Sequence, residues 1–152
     1  MARAYVGLGA NLGDREATLL RAVDLLGEVE GVRVVGVSAL RETDPVGVLD
    51  QPRFLNGAAA VETELTPREL LDALLGVERS LGRVRDGERW GPRTVDLDLL
   101  VFGDVVVDEP GLRVPHPRLH ERRFALEPLS DLDPTLEIPG RGTVSALLSA
   151  LD

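Results

Sequence analysis

Thr66-Pro67-Arg68-Glu69 leaves little freedom in how the middle of this chain folds. It places a hydroxyl at a helix N-cap, a proline in the first turn and a glutamate three residues after the cap. Leu70, Leu71, Leu74, Leu75 and Leu81 then continue at helical spacing as far as Gly82. Extended runs flank this helix, over residues 54–64 before it and 95–102 after it. Upstream, residues 4–9 alternate like a strand and a glycine-rich turn runs through Gly13. Leu19, Val23 and Leu26 recur at helical spacing, and residues 32–40 are rich in β-branched side chains. The predicted order is strand, helix, strand, strand, helix, strand. That is the split βαβ arrangement of an α+β, ferredoxin-like βαββαβ three-layer sandwich with a C-terminal extension. Gly103-Asp104 turns the chain into Val105-Val106-Val107, and the proline-punctuated last third carries short helices near residues 122–129 and 143–151.

At 152 residues the chain has the length of one ordinary domain, so a single domain over 1–152 is expected. No apolar run approaches the roughly 18 residues a membrane helix needs. The N-terminus enters a strand pattern without the features of a secretory signal, so the expected location is the cytoplasm. The chain contains no cysteine and two histidines, His116 and His120, so any metal is expected to be held by oxygen. A net charge of −9 argues against non-specific nucleic-acid binding. All 17 basic residues are arginines, and Arg79, Arg83, Arg85, Arg89 and Arg93 crowd one short stretch. An acidic protein with one arginine-rich segment points to a small anionic ligand.

Asp96 and Asp98 lie two apart in a predicted strand, so both carboxylates share one face while Val95, Leu97, Leu99 and Val101 turn to the core. Like charges placed this way are unfavourable unless a cation neutralises them. Magnesium, which takes one or two carboxylates plus waters and substrate phosphates, suits the pair. Taken alone, the pair reads more readily as an acidic edge strand facing water, and the flanking arginines reverse that preference. Arg83, Arg85 and Arg93 offer planar forks matched to phosphate oxygens and make a polyphosphate clamp beside those carboxylates. Trp90, the one tryptophan, serves either as part of a closing flap or as packing at the loop root. Glu78, one turn before Gly82, either orients an arginine or a metal-bound water, or is an ordinary exposed helix glutamate. The run from Gly7 to Gly13 lacks the third glycine of a dinucleotide fingerprint, because Leu12 stands in its place.

Five separated blocks, in order, closely resemble the 6-hydroxymethyl-7,8-dihydropterin pyrophosphokinases: Gly9-Ala10-Asn11-Leu12-Gly13; Asp50-Gln51-Pro52-Arg53-Phe54-Leu55-Asn56; Gly82-Arg83-Val84-Arg85; Arg89-Trp90-Gly91-Pro92-Arg93-Thr94-Val95-Asp96-Leu97-Asp98; and Val114-Pro115-His116-Pro117. The resemblance implies a folate-pathway enzyme that transfers the diphosphate of ATP to the hydroxymethyl group of a dihydropterin and releases AMP. It implies that Asp96 and Asp98 bind two magnesium ions bridging the ATP phosphates. Arg83, Arg85, Arg93, His116 and Arg122 would contact phosphates, with Arg83 and Arg93 most directly catalytic. Glu78 and Trp90 join them on the ATP side. His116 is alternatively a loop-stabilising hydrogen-bond donor.

A pterin is a flat ring with a dense hydrogen-bonding edge. It calls for aromatic faces and for an amide that both donates and accepts. Phe54, Phe124 and Asn56 supply these types, though phenylalanine is more often a core residue. The resemblance implies that the ring lies between Phe54 and Phe124 while Asn56, Thr43 and backbone near Pro45 and Val46 read its edge. It implies lids over residues 44–52 and 83–92 and a monomer acting on small molecules. Ala10, Ala73, Leu75, Asp86 and Pro117 depart from the family pattern and bear on adenine contacts and loop detail. Two other classes compete with this reading. A ferredoxin-like RNA-binding module would want a basic surface. A phosphatase with an aspartate nucleophile would want a larger α/β domain.

Overall fold

The capping box forms as expected. The Thr66 hydroxyl accepts the Glu69 N–H at 3.1 Å, and the Glu69 carboxylate accepts the Thr66 N–H at 2.9 Å. Helix α2 (Pro67–Ser80) starts from it. The structure, a computed structural model, describes residues 1–11, 13–43, 53–82 and 95–151. Ahead of α2 come β1 (Ala2–Ala10), α1 (Arg15–Gly27), β2 (Val32–Val37), β3 (Arg41–Thr43) and β4 (Phe54–Thr63). After it come β5 (Asp96–Phe102), the hairpin β6 (Val107–Glu109) and β7 (Leu112–Val114), and a 3-10 turn over Leu119–Glu121. The chain then forms α3 (Arg123–Leu132), the small ribbon β8 (Glu137–Ile138) and β9 (Gly142–Thr143), and α4 (Val144–Ala150).

The main sheet runs β2-β4-β1-β5, with β3 also paired to β4. Every pairing in it is antiparallel. Strand β4 therefore lies between β1 and β2, the split arrangement the element order predicts. Each face of the sheet buries its own core. On one, Val6, Leu8, Ala59, Val61, Leu97 and Leu99 pack against Leu19 and Leu26 of α1 and Leu70 and Leu74 of α2. On the other, Tyr5, Ala58, Ala60 and Val101 pack against Leu126 and Leu129 of α3, with Ile138 and Val144 closing the edge. The C-terminal extension is thus the third layer, and it covers the sheet face that α1 and α2 leave bare.

Several local expectations are corrected. The strict alternation that would send Val101 inward with Leu97 and Leu99 breaks. The β1–β5 register pairs Val6 with Leu99 but Tyr5 with Val101, so Leu100 is an extra residue in a bulge. One inserted residue flips the parity of the strand beyond it, and Val101 joins the α3 side with Leu100. The β-branched run of residues 32–40 ends at Val37, and the chain re-enters the sheet as the three-residue β3. In α2 the buried stripe is Leu70, Leu74, Val77 and Glu78, while Leu75 stays 39% exposed. The run 105–107 contributes only Val107 to β6.

Three neighbouring strands are tied outside by charge. Glu62 of β4 stands opposite Arg3 of β1 and Arg33 of β2, accepting from them at 2.8 and 2.5 Å. Hydrogen bonds from Arg3 and Arg33 lower the Glu62 pKa from 4.5 to about 2. A carboxyl depressed in the folded state stabilises above its unfolded value and loses that contribution as pH falls through its folded one. For Glu62 the window runs from 4.5 down to about 2. Glu62→Gln is therefore expected to flatten the acid limb of thermal stability. Melting temperatures of the variant and the parent from about pH 6 to about pH 2 should converge at the acid end, and parallel curves would refute the linkage.

Candidate active site

Strand β1 runs between β4 and β5, and its register decides where a cavity can form. Gly9 stands opposite Asp96 on one side and Asn56 on the other, and Gly7 stands opposite Asp98 and Ala58. Residues directly opposite each other share a face, so two glycines lie between the Asp96–Asp98 pair and Asn56. A Cβ added at Gly9 would sit 3.2 Å from the Asn56 Nδ2, and one at Gly7 would sit 3.3 Å from the Leu100 Cδ1. With strands about 4.8 Å apart, the floor between Asn56 and Asp96 spans about 10 Å with no side chain at Gly9, while the Leu100 side chain lies over Gly7.

This floor opens into a cavity of about 810 Å³, within the range of about 300 to 1,000 Å³ usual for small-molecule sites. Thr43 and Phe54 wall it on the β3–β4 side, Asp96 and Asp98 on the β5 side, and Arg122 and Phe124 from the start of α3. His116 and Arg118 complete it from the segment after the cis Val114–Pro115 bond. Eight sequence-predicted residues are thereby gathered: Thr43, Phe54, Asn56, Asp96, Asp98, His116, Arg122 and Phe124. Pro45, Val46, Arg83, Arg85, Trp90 and Arg93, with the two expected lids, lie outside the described residues.

The polar groups are oriented. The Thr43 hydroxyl donates to the Asn56 Oδ1, which fixes the amide and turns its NH2 toward the floor. The Arg122 guanidinium lies 5.6 Å from the centroid of the Phe124 ring, so a cation and an aromatic face meet at one corner. His116 is held by its own N–H, which donates to the Leu100 carbonyl at 2.9 Å, and by its Nδ1, which accepts the Arg118 N–H at 3.2 Å. Burial lowers the His116 pKa below 6.5. The nearby Asp98 raises it, and Arg122 and Arg118 lower it further. The ring is accordingly neutral at pH 7, and with Nδ1 accepting, its proton resides on Nε2, a donor. Two carboxylates on one strand face beside this donor set form an all-oxygen pair suited to a hard cation.

Glu78 stands apart from these residues. It is 3% exposed on the buried stripe of α2, and its carboxylate accepts the Leu97 N–H at 2.7 Å. Leu97 separates Asp96 from Asp98, so Glu78 braces the strand that carries them from behind. The reading of it as an exposed helix glutamate is corrected. The roles of Gly7 and Gly9, and of Arg118, Glu121, Arg123 and Glu127 in the lining, are absent from the sequence expectations. The Gly7-x-Gly9 alternation matching Asp96-x-Asp98 was the available signal for the floor.

Residues 5–134 match the family model of 7,8-dihydro-6-hydroxymethylpterin-pyrophosphokinase (HPPK). Over 148 residues the chain is 48% identical to a 2-amino-4-hydroxy-6-hydroxymethyldihydropteridine pyrophosphokinase of Pseudomonas aeruginosa, covering 97% of this chain and 91% of the relative. To the protein of that name from Methylorubrum extorquens it is 47% identical over 152 residues, covering 100% of this chain and 95% of the relative. A solved wild-type HPPK-DHPS of Plasmodium falciparum with pteroate superposes with a TM-score of 0.76 at 14% identity, over 98% of this chain. This chain spans 44% of that one, and the likeness carries the fold alone. With the family model covering most of its length and near relatives matched end to end, the chain belongs to the 7,8-dihydro-6-hydroxymethylpterin-pyrophosphokinase family.

Proposed function

We infer that the chain transfers the diphosphate of ATP to 6-hydroxymethyl-7,8-dihydropterin, giving the pterin diphosphate and AMP, in folate biosynthesis. The observation that carries this reading is that one cavity joins an aromatic slot to a paired carboxylate. Phe54 and Phe124 supply faces for a flat ring, and Thr43 with Asn56 supplies a fixed edge of donors and acceptors. Asp96, Asp98, His116 and Arg122 occupy the part of the lining suited to phosphate.

The pterin hydroxymethyl oxygen attacks the β-phosphorus of ATP, the bond from that phosphorus to the α,β-bridging oxygen breaks, and AMP leaves with the electron pair. The alcohol proton passes to solvent. The chain's own contribution is alignment and charge, as expected for phosphoryl-type transfer. Asp96 and Asp98 are proposed to hold two magnesium ions; an all-oxygen pair over a bare floor fits that group. When bound, magnesium neutralises phosphate charge and orients the reacting oxygens. The His116 Nε2–H and the Arg122 guanidinium donate to phosphate oxygens. Arg83 and Arg93 are proposed as catalytic, and Arg85, Trp90 and Glu78 as ATP-side residues, Glu78 acting through β5. Pro45 and Val46 are proposed to add backbone contacts to the pterin edge.

Further readings rest on the family resemblance and on charge. We take residues 1–152 as a single pyrophosphokinase domain, acting as a monomer in the cytoplasm on small molecules. The net charge of −9 argues against non-specific nucleic-acid binding. Among the described residues no helix is long and apolar enough to cross a membrane.

Nucleotide product analysis with hydroxymethyldihydropterin and Mg-ATP should yield AMP; ADP, or turnover independent of pterin, would refute the reaction. Asp96→Ala and Asp98→Ala should each abolish turnover while the thermal melt stays cooperative, and near-normal rates in either would remove the metal assignment. Gly9→Val tests the floor. A β-branched residue is compatible with a strand, but its side chain enters the space beside Asn56. The expected result is a loss of kcat/KM of at least about tenfold, equivalent to about 1.4 kcal/mol, in a folded protein. Unchanged kcat/KM would show that the ligand does not approach this strand.

A further inference from the structure

Helix α3 presents Phe124 to the cavity at its first turn, and its polar attachment to the opposite wall lies two turns away. The Asp131 Oδ1 accepts from the Arg41 Nη2 at 2.8 Å, and its Oδ2 accepts the Ala39 N–H at 3.2 Å. Arg41 stands opposite Asn56 in the β3–β4 register, and Thr43 stands opposite Phe54. These four side chains therefore share the sheet face that looks toward α3. On the helix, Phe124, Glu127 and Asp131 recur at i, i+3 and i+7, one stripe, and at 1.5 Å rise per residue the ends are about 10 Å apart. One side of the slot thus hangs on the same helix stripe that Arg41 grips. The other side is built on the same strand pair that carries Arg41.

The apolar contacts under α3 hold the helix against that face, with Leu126 and Leu129 packed in one cluster with Tyr5, Ala58, Ala60 and Val101. Of these, Ala58 and Ala60 belong to β4, and their small side chains offer little relief for interlocking on the strand that carries Phe54 and Asn56. Hydrophobic burial is also non-directional. A two-point attachment of one carboxylate, to a guanidinium and to a backbone N–H, is directional. Pro128 lies between Asp131 and Phe124 inside the helix, so the Phe124 carbonyl lacks the N–H four residues on, and the first turn is less constrained by the helix itself. The mutual influence of the pair agrees: Arg41 lowers the Asp131 pKa by hydrogen bonding, and Asp131 raises that of Arg41.

We propose that the Arg41–Asp131 pair is a positioning element for the dihydropterin. By fixing α3 against β3 and β4 it sets the gap between Phe124 and Phe54, and so governs pterin affinity while leaving the phosphate half of the cavity unchanged. This rests on the pterin reading of the slot given above. Neither residue lines the cavity; both act through Phe124, Asn56 and Thr43.

The test compares Arg41→Gln and Asp131→Asn, the second of which keeps an acceptor for the Ala39 N–H, with the exchange R41D/D131R and with Phe124→Ala. In each single variant the pterin KM, and its Kd by titration, should rise about fivefold or more, while kcat at saturation and the KM for Mg-ATP stay within about twofold. The exchange should recover part of the loss, as expected for two groups coupled to each other. An unchanged pterin KM in a folded Arg41→Gln or Asp131→Asn protein would overturn the proposal, as would a fall in kcat with both KM values altered together. Arg41→Lys, which retains the charge, keeps the test open if Arg41→Gln does not fold, and should lie between parent and Asp131→Asn. Phe124→Ala separates the two levels. If it leaves pterin KM unchanged, the pterin reading of the slot fails; if it raises KM and the Arg41 and Asp131 variants do not, only the positioning role fails.

Discussion

The register of β1 between β4 and β5 is the constraint on which the site depends. Because antiparallel partners share a face, the glycines at 7 and 9 must lie beside the carboxylates at 98 and 96, and Asn56 must lie beyond Gly9. A side chain at either glycine would press on Asn56 or Leu100. Between these positions the same strand turns Val6 and Leu8 into the core under α1 and α2. One strand thus holds the apolar core together and keeps a polar floor empty, and it does so through a period of two.

The third layer completes what the sheet begins. A ferredoxin-like sheet leaves one face open, and here α3 and α4 cover the part lined by Tyr5, Ala58, Ala60 and Val101. They leave uncovered the part that bears Gly7, Gly9, Asp96 and Asp98. The cavity is therefore the uncovered remainder of a face whose other half is core. That origin explains why its walls come from segments far apart in the chain and why Leu100 belongs to both regions.

Much of this was legible because local chemistry is read from short windows. The capping box, the Asp96–Asp98 face and the strand–helix order each need no more than a few neighbouring residues. The gathering of Thr43, Phe54, His116 and Arg122 was not available from periodicity; it came from resemblance across separated blocks. What stayed hidden depends on partners distant in sequence or on patterns that apolar runs erase. Leu99, Leu100, Val101 and Phe102 are all apolar, so no alternation marks the bulge. Glu78 looks like a surface glutamate until the Leu97 N–H is set against it. The three residues of β3 are too few to show a period, and Arg41 meets Asp131 across 90 residues of chain.

The bulge at Leu100 gives β5 one residue more than its partner strand, and that residue lands on the α3 side. Before it, the strand keeps step with the glycines; after it, the strand keeps step with Tyr5 and Ala4. Any of these apolar residues can be exchanged for another of similar volume at modest cost. Deleting Leu100 would leave Leu99 opposite Val6 and Val101 opposite Tyr5 in an unbroken alternation, so neither half of the strand would change face. What such a deletion would remove is the side chain that lies over Gly7 and belongs to both the α3 core and the cavity lining. The extra residue therefore spares the frame of the strand and shapes the border between core and cavity.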